Sequence, residues 1–325
     1  MPAYIIRRLL VMIPTLLLAS LLVFFVVRLM PGDIIDAMIS VNPDVEIDRP
    51  AMERNLGLDS PVLVQYGRWM GVAPQTDGSF QGILQGDLGY SLWNRKPVVE
   101  LLATKWPVTL QLSSMALIIS LLIALPIGIY SALRQDKWGD YVGRSFAILF
   151  ISIPGFWLGT LVIVLPSIWW GKMPPIMLIP FTEDPLGNLG MFILPATILG
   201  MAMAGITMRM TRTMMLEVLR QDYIRTAWAK GLKERIVVLR HALKNALIPV
   251  ITIIGLQVPL MLGSTVIIEQ IFNLPGISRL LLNAVMERDD SLISGTLMLF
   301  AGALVLINLV VDLTYAYLDP RVHYK

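Results

Sequence analysis

The sequence lacks cysteine altogether, and it has two histidines, His241 and His323, among its 325 residues. Without cysteine, the chain forms no disulfide bond, thiolate metal site or cysteine nucleophile. Neither histidine has neighbours at a metal-ligand spacing, so we expect no metal site. Charged residues are also scarce, at 15%, where a soluble domain has about a quarter.

Several signatures of enzymes are missing as well. The sequence contains no G-x-x-x-x-G-K-[ST] phosphate loop, no H-E-x-x-H and no G-x-S-x-G. We therefore expect no hydrolysis of ATP by the chain itself and no protease or esterase activity. Its long apolar runs hold few ionisable residues, whereas a proton-coupled carrier usually buries them along its path. These absences indicate a protein that is not an enzyme.

What the chain has in abundance is apolar sequence, with 56% hydrophobic residues and a mean hydropathy of +0.70. Runs of about 18 or more apolar residues are long enough to cross a bilayer as helices. We predict an all-α integral membrane protein with six transmembrane helices, at about 9–27, 112–133, 146–170, 191–208, 248–268 and 292–318. The first run is followed by Arg28 and Pro31-Gly32-Asp33 rather than by a small-residue cleavage site, so we interpret it as an uncleaved span.

The distribution of basic residues predicts the orientation, because short cytosolic loops are enriched in Lys and Arg. With the N-terminus inside, the cytosolic segments 1–8, 134–145, 209–247 and 319–325 carry 16 Lys and Arg residues in total. The short external loops 171–190 and 269–291 carry 3. This asymmetry predicts that both termini are cytosolic.

Three regions follow from this topology. Residues 1–30 form the N-terminal transmembrane helix, 31–107 an extracytoplasmic subdomain, and 108–325 the core domain with the other five spans. The subdomain has ten acidic and six basic residues, and it is either a solvated cap or a surface for a partner. Within it, Pro61 to Met70 are expected to form a short helix.

Residues 277–285 show the apolar stripe of an amphipathic helix on the external side, after Pro275-Gly276. We expect an interfacial or re-entrant helix there, and whether it gates the pathway stays open.

Two sets of residues in the spans are candidates for function. The fifth span has Pro259 and Gly263 among closely spaced prolines and glycines, which favours a flexible, pore-lining helix. In the last span, Asn308, Asp312 and Tyr315 share one helix face. They form a polar seam against a partner or pore, or Asp312 reaches the headgroups or a nearby arginine instead.

The most informative segment is 209–247, with nine basic and three acidic residues between two spans. Helix formers dominate around one glycine, Gly231, so we predict two helices joined there. Small residues at Ala227 and Ala229 would let the first helix lie closely against another surface. The segment is a binding surface for another protein or, alternatively, a basic helix that lies on anionic lipid.

This segment reads RTAWAKGL over 225–232 and RHALKNALIP over 240–249. It resembles the cytosolic EAA loop of ABC importer permeases. Ala227, Gly231 and Leu243 fit the general pattern of that loop, and the positions that depart from it resemble the dipeptide/oligopeptide branch. Trp228 stands where that branch is expected to have arginine. The segments RLMPGD, GDLGYSL, GSTVIIEQIFNLPGISRLLLNAVMERDD and VDLTYAYLDPRVHY are similar to the same branch, and together they cover most of the chain.

The resemblance implies a type I ABC importer permease in the cytoplasmic membrane of a bacterium or archaeon. It implies a coupling helix that contacts an ATPase and comprises Arg225, Thr226, Ala227, Trp228, Ala229, Lys230, Gly231 and Leu232. It further implies four partners, a second permease, two ATPase subunits and an extracytoplasmic solute-binding protein, with membrane lipid around them and no nucleic acid.

The resemblance implies that this chain binds no cofactor, because ATP and Mg²⁺ would be held by the ATPases. Di- or oligopeptides are the expected substrates, with oligosaccharides, nickel chelates and opines as alternatives in the same class. A stand-alone channel or secondary carrier is the alternative from another class.

Overall fold

The structure is a computed structural model that describes residues 2–30, 32, 34–41, 48–171 and 177–318. The described residues are mainly helical, which confirms the predicted all-α fold. The helices are α1 (Pro2–Leu29), α2 (Ile34–Val41), α3 (Arg49–Asn55), α4 (Val62–Met70), α5 (Val98–Leu133), α6 (Trp138–Ser152), α7 (Gly155–Trp170), α8 (Pro185–Leu219), α9 (Asp222–Ala229), α10 (Glu234–Ile236), α11 (Leu243–Ile271), α12 (Ile277–Glu287) and α13 (Asp290–Leu318). A π-helical stretch, Val237–Ala242, joins α10 to α11. An antiparallel pair of two-residue strands, β1 (Tyr90–Ser91) and β2 (Lys96–Pro97), precedes α5.

The predicted spans are present as long apolar helices. In the described residues, five helical segments are long and apolar enough to cross a membrane: Ile5–Leu29, Val98–Leu133, Pro185–Leu219, Glu234–Ile271 and Asp290–Thr314. The helices α6 and α7 meet the same criterion together, but they are bent by 91° at Ile153-Pro154. Counting the bent pair as one span gives six, so the predicted third span is a broken one.

The helices extend well beyond the apolar windows in the sequence. Helix α5 begins at Val98 rather than near residue 112, and α8 begins at Pro185 and ends at Leu219. With 36 residues, α5 is about 54 Å long at 1.5 Å per residue, whereas the hydrocarbon core is about 30 Å thick. Hydropathy marks the part of a helix that suits the bilayer, and it does not mark the ends of the helix.

The chain divides into two compact units. The core unit comprises Val108–Pro275 and the described residues from Ile307 onward, and the N-terminal unit comprises Pro2–Pro107 and Gly276–Leu306. The predicted subdomain 31–107 lies in the N-terminal unit with α1 and α12.

Helix α8 is the central helix of the core unit and packs closely on its neighbours. An added Cβ on Gly200 would lie 2.5 Å from the carbonyl oxygen of Ala116 in α5, and one on Gly205 would lie 2.7 Å from that of Ala147 in α6. Membrane helices associate through small residues that let their backbones approach. The glycines of α8 therefore allow the close helix packing of this unit.

The N-terminal unit is built on the C-terminal half of α1. The hydroxyl groups of Ser20 and Tyr66 lie 2.9 Å apart, and the rings of Phe24 and Tyr66 meet edge to face at 5.4 Å. These contacts fix α4 against α1. Helix α4 confirms the short helix expected over 61–70, and α12 confirms the helix expected over 277–285.

A buried carboxylate links the strand pair of this unit to α13. Ser91 donates a hydrogen bond of 2.6 Å to Asp289 Oδ2, and the amide of Leu292 donates one of 3.1 Å to Asp289 Oδ1. Asp289 thus satisfies an amide in the first turn of α13, as an N-terminal capping residue does. Burial raises the pKa of Asp289, although these two hydrogen bonds act against the shift.

The close packing of α8 predicts that alanine substitution changes the stability of the protein very differently at two glycines of this helix. We expect Gly200→Ala to lower the melting temperature by a few degrees, because overpacking costs about 1–3 kcal/mol. Gly190→Ala is the matched control: its Cβ would meet nothing within 4 Å, and alanine favours helix by about 1 kcal/mol. The measurement is thermal unfolding of both variants in detergent, followed by tryptophan fluorescence. Equal melting temperatures would contradict the packing described here.

Candidate functional site

The segment between α8 and α11, residues 220–242, is called the connecting segment. Helix α8 ends at Leu219, Gln221 is extended, and α9 begins at Asp222. A carboxylate in the first turn of a helix is favourable because the N-terminal end carries partial positive charge. Asp222 therefore supports the start of α9 at this position.

The end of α9 is a tight turn centred on Gly231. The Gly231 amide donates to the Trp228 carbonyl at 2.9 Å, and the Leu232 amide donates to the Ala227 carbonyl at 3.4 Å. This pair of hydrogen bonds is a Schellman motif, which requires a left-handed residue after the helix. Gly231 has φ +73°, a conformation that glycine adopts without steric cost. The prediction that two helices join at Gly231 is confirmed.

One face of α9 packs against the core unit. Ile224 and Ala227 are buried in a cluster with Met215 of α8 and with Val237 and Ala242 of the π-helical stretch. The helix is thereby held between the end of α8 and the start of α11.

A polar contact supports the same arrangement. Asn245 of α11 donates a hydrogen bond of 2.8 Å to the hydroxyl group of Tyr223. Helix α9 is therefore attached to α11 as well as to α8.

The other face of α9 is exposed. It presents Arg225, Thr226, Trp228, Ala229 and Lys230, and Trp228 is 44% exposed. A tryptophan with this exposure beside two cations and a small alanine is a suitable surface for a protein partner.

Ala227 does not belong to this exposed face. It is 6% exposed and is enclosed by the chain's own residues. We expected the small side chain of Ala227 to allow close approach to another protein, and this expectation was wrong. The side chain instead packs between α9 and the core unit. Ala229 has the exposure that this interpretation requires.

The π-helical stretch was not predicted from the sequence. It includes Arg240 and His241, and its buried residues, Val237, Val238 and Ala242, face the cluster around α9. Such stretches are rare and occur frequently at functional sites.

An ion pair ties α6 to α8 near the connecting segment. Arg212 Nε and Nη2 donate to Asp140 Oδ1 and Oδ2 at 2.6 and 2.7 Å. The Asp140 side chain is fully buried, and the Arg212 side chain is 19% exposed. Ser131 Oγ and the amide of Asp136 also donate to the same carboxylate.

Asp140 therefore joins the end of α5, the following turn, α6 and α8. Two-point pairing of arginine with a carboxylate fixes both orientation and distance. Sequence reasoning missed this pair because Asp140 and Arg212 lie in different segments and no local pattern connects them.

Another buried carboxylate lies in the last turns of α11. Thr109 of α5 donates a hydrogen bond of 2.6 Å to Glu269 Oε1, and Glu269 is fully buried. We expected the first five spans to contain almost no ionisable side chains. The predicted fifth span ended at residue 268, so Glu269 was assigned to the loop that follows it. The helix in fact continues to Ile271, so Glu269 is a buried acid that this expectation missed.

The predicted pore-lining residues lie on α11. Pro259 is half-buried, and Gly263 is exposed with open space around it. Gly263 lies on the same side as the exposed side chains of Leu256, Leu260 and Ile267. The pore-lining role stays a prediction.

The predicted polar seam lies on α13. Asn308 is exposed and Asp312 is half-buried, one helical turn apart. The side chain of Tyr315 lies outside the described residues, so the seam of three residues stays a prediction. Within the described part of the chain, no three acidic or histidine side chains are grouped as a metal site would require.

Comparison with known proteins gives two family matches that together cover nearly the whole chain. Residues 124–324 match the model of the binding-protein-dependent transport system inner membrane component. Residues 1–113 match the model of the N-terminal part of the same kind of membrane component.

Full-length relatives were also found. A protein of Brucella suis biovar 1, provisionally named a peptide transport system permease, is 40% identical over 326 residues and is covered completely, as is this chain. A glutathione transport system permease protein of Salmonella paratyphi A is 39% identical over 323 residues, with 99% of each chain covered. Among solved structures, an amino acid ABC transporter matches 69% of this chain and 94% of its own, at 15% identity and a TM-score of 0.49.

The ion pair of Asp140 with Arg212 predicts that removing one charge strongly lowers the stability of the protein. We expect Asp140→Asn to destabilise the protein by about 2–3 kcal/mol, because Arg212 then lies among packed helices without a carboxylate. Thermal unfolding in detergent measures the effect, and Asp136→Asn, at a nearby exposed position, is the control. The double variant Asp140→Asn/Arg212→Gln should lose less stability than the two single variants combined. Additive losses would mean that the two residues do not act as a pair.

Proposed function

The chain belongs to the family of binding-protein-dependent transport system inner membrane components, and we propose that it forms half of the translocation pathway of an ATP-driven peptide importer. It is a transport subunit, since this family comprises the permeases of ABC importers. Family membership does not favour a stand-alone channel or a secondary carrier.

The observation that carries the proposal is the two-sided character of α9. One side is buried against α8 and α11, and the other presents Trp228 and Ala229 to the surroundings. A helix that is packed on one side and exposed on the other transmits a force applied by a partner to the helices on which it packs. This is the arrangement that a coupling helix needs.

The proposed source of the force on α9 is a pair of ATPase subunits. The sequence has no phosphate loop of its own, so the energy would come from ATP and Mg²⁺ bound by these partners. Each ATPase would receive one coupling helix, and closure of the two ATPases would move α9 in this chain. The chain itself needs no cofactor for this role.

The contacts around α9 suggest how the movement reaches the spans. Met215 brings α9 onto the end of α8, and Arg212, one turn earlier, holds α6 through Asp140. Tyr223 holds α11 through Asn245. A displacement of α9 would therefore move α6, α8 and α11 together, which is the kind of motion that alternating access requires.

The remaining partners lie within the membrane and on its outer side. A second, related permease would complete the pathway, and the exposed side of α11 with Gly263 is the proposed lining or contact surface. An extracytoplasmic solute-binding protein would dock on the N-terminal unit and deliver the substrate. Peptide transport is proposed because relatives are named for peptides and for glutathione, which is itself a tripeptide.

The exposed face of α9 predicts variants that separate coupling from folding. We expect Trp228→Ala and Ala229→Leu to reduce peptide uptake and substrate-stimulated ATPase activity at least tenfold, because each alters the surface offered to the ATPase. Both should leave the melting temperature within about 1–2 °C of the original, since surface substitutions change stability little. Uptake into proteoliposomes containing the whole complex measures the first effect.

Two variants serve as comparisons. Trp170→Ala, at an exposed tryptophan at the end of α7, should leave coupling unchanged. Ala227→Leu should instead lower the melting temperature, because it overfills the cluster beneath α9. Normal uptake by both Trp228→Ala and Ala229→Leu would contradict the coupling role.

The absence of cysteine makes the proposed orientation directly testable. A single cysteine introduced at Lys137, an exposed residue just before α6, should be protected from a membrane-impermeant maleimide in intact cells and become labelled after permeabilisation. A single cysteine at Asp77, in the N-terminal unit, should be labelled in intact cells. The reverse pattern would invert the orientation and exclude contact of α9 with a cytosolic ATPase.

A further inference from the structure

The core unit contains an open apolar groove that the transport proposal does not use. It lies between the last turns of α5 and the first turns of α6 and has a volume of about 640 Å³. Sites for organic ligands usually have a volume of about 300–1,000 Å³. The side chains that form its walls are apolar or aromatic, mainly Pro126, Ile127 and Tyr130 of α5 and Trp138, Val142 and Phe146 of α6. The main part of a matching occupant is therefore apolar.

Two glycines of α6 bring α5 close to it at the bottom of this groove. An added Cβ on Gly139 would lie 2.5 Å from Tyr130 Cε1, and one on Gly143 would lie 3.1 Å from Ile127 Cγ2. Membrane helices associate through small residues that let their backbones approach, and these two glycines already serve the contact with α5. A helix of another protein would therefore pack poorly in the groove, whereas a flexible acyl chain needs no small residues.

The groove opens at one end of the two helices, beside a polar turn. The apolar run of α5 ends at Leu133, and residues 134–137 connect it to α6. Tyr130 and Trp138 lie next to this turn and are 54% and 75% exposed. Tyrosine and tryptophan are enriched where a membrane meets water, so this end of the groove lies at the depth of the lipid headgroups. Phe146 lies about 12 Å from Trp138 along α6, at the depth of the acyl chains.

The same end of the groove is positively charged. Arg134 follows Tyr130 by one helical turn, and Lys137 directly precedes Trp138. Both basic side chains are exposed, and neither has an ion pair within the described part of the chain. The turn holds one acid, Asp136, so its net charge is positive. A negatively charged group is therefore favoured at the open end.

Two neutral hydrogen-bond donors lie beside these cations. The Tyr130 hydroxyl group and the Trp138 indole N–H have no hydrogen-bond partner among the residues that the structure describes. Phosphate and ester oxygens accept hydrogen bonds from such groups. The open end of the groove therefore combines positive charge with neutral donors.

We propose that this groove binds an anionic phospholipid, with one acyl chain along α6 and the phosphate beside Arg134 and Lys137. The apolar walls disfavour a small polar ligand. The two cations favour an anionic headgroup over a zwitterionic one, whose ammonium group they would repel. Basic residues near a membrane surface raise the affinity for anionic lipid by about fivefold each.

The test compares dioleoyl phosphatidylglycerol with dioleoyl phosphatidylcholine on the full chain in detergent, with bound lipid counted by native mass spectrometry. We expect phosphatidylglycerol to bind at least tenfold more tightly, and Arg134→Gln/Lys137→Gln to abolish this preference. The control Lys233→Gln/Arg235→Gln removes the same charge at exposed positions of the connecting segment and should keep the preference. Val142→Trp should weaken binding of phosphatidylglycerol, because the larger side chain fills the groove.

A photoreactive lipid tests whether the groove holds lipid in the assembled transporter. Phosphatidylglycerol with a diazirine in one acyl chain should attach within residues 126–146 after irradiation of proteoliposomes that contain the whole complex. Peptide mass spectrometry locates the attachment. Attachment elsewhere only would mean that another subunit covers the groove, and it would overturn the proposal.

The binding measurement has outcomes that contradict the proposal as well. Equal affinity of the original chain for the two lipids would overturn it, and so would an equal loss of preference in both double variants. Melting curves confirm that each variant is folded. If Val142→Trp does not fold, the two double variants, which change exposed residues, decide the result.

This inference depends on the membrane spans and not on the transport assignment. Lipid preference is measured on the chain without ATPases, so its absence would leave coupling through α9 untouched. Loss of coupling in the variants of α9 would equally leave the lipid preference unchanged.

Discussion

The contact of α8 with its neighbours is the constraint on which the rest of the core unit depends. Glycines at 200 and 205 bring its backbone against α5 and α6, and its last turns carry both the ion pair to α6 and the cluster that holds α9. In a bilayer, lipid competes equally for apolar side chains, so helices stay together through close packing and polar contacts. Helix α8 supplies both kinds of contact along its length.

This arrangement explains why a short helix outside the apolar runs can matter for the spans. An isolated helix of 8 residues would be unstable in water. Helix α9 is maintained by its buried side and by the turn at Gly231. Because its supports are the ends of α8 and α11, any force on its exposed side acts on the spans and not on a loose loop.

Much of the fold could be predicted from the sequence, and the failures have physical reasons. Apolar runs, the stripe over 277–285 and the glycine at 231 identified helices and a joint, since each depends on local chemistry. The inward position of Ala227 was not predicted, because alanine suits a buried and an exposed helix face equally, and here it shares the buried side of α9 with Ile224. Glu269 was missed because an acid just after an apolar run resembles the start of a loop. Pro154 disfavours a continuous helix through the third span, but the 91° bend depends on packing.

The central claim is that α9 couples this permease to ATPase subunits, and co-purification tests it most directly. The tagged chain would be isolated from mild detergent, and the subunits that accompany it would be quantified by mass spectrometry and assayed for ATPase activity. The account predicts a second permease and two nucleotide-binding subunits for each assembly, with the ATPases lost when Trp228 and Ala229 are both replaced by glutamate. A folded chain recovered without any ATPase, or ATPases retained fully by that double variant, would contradict it.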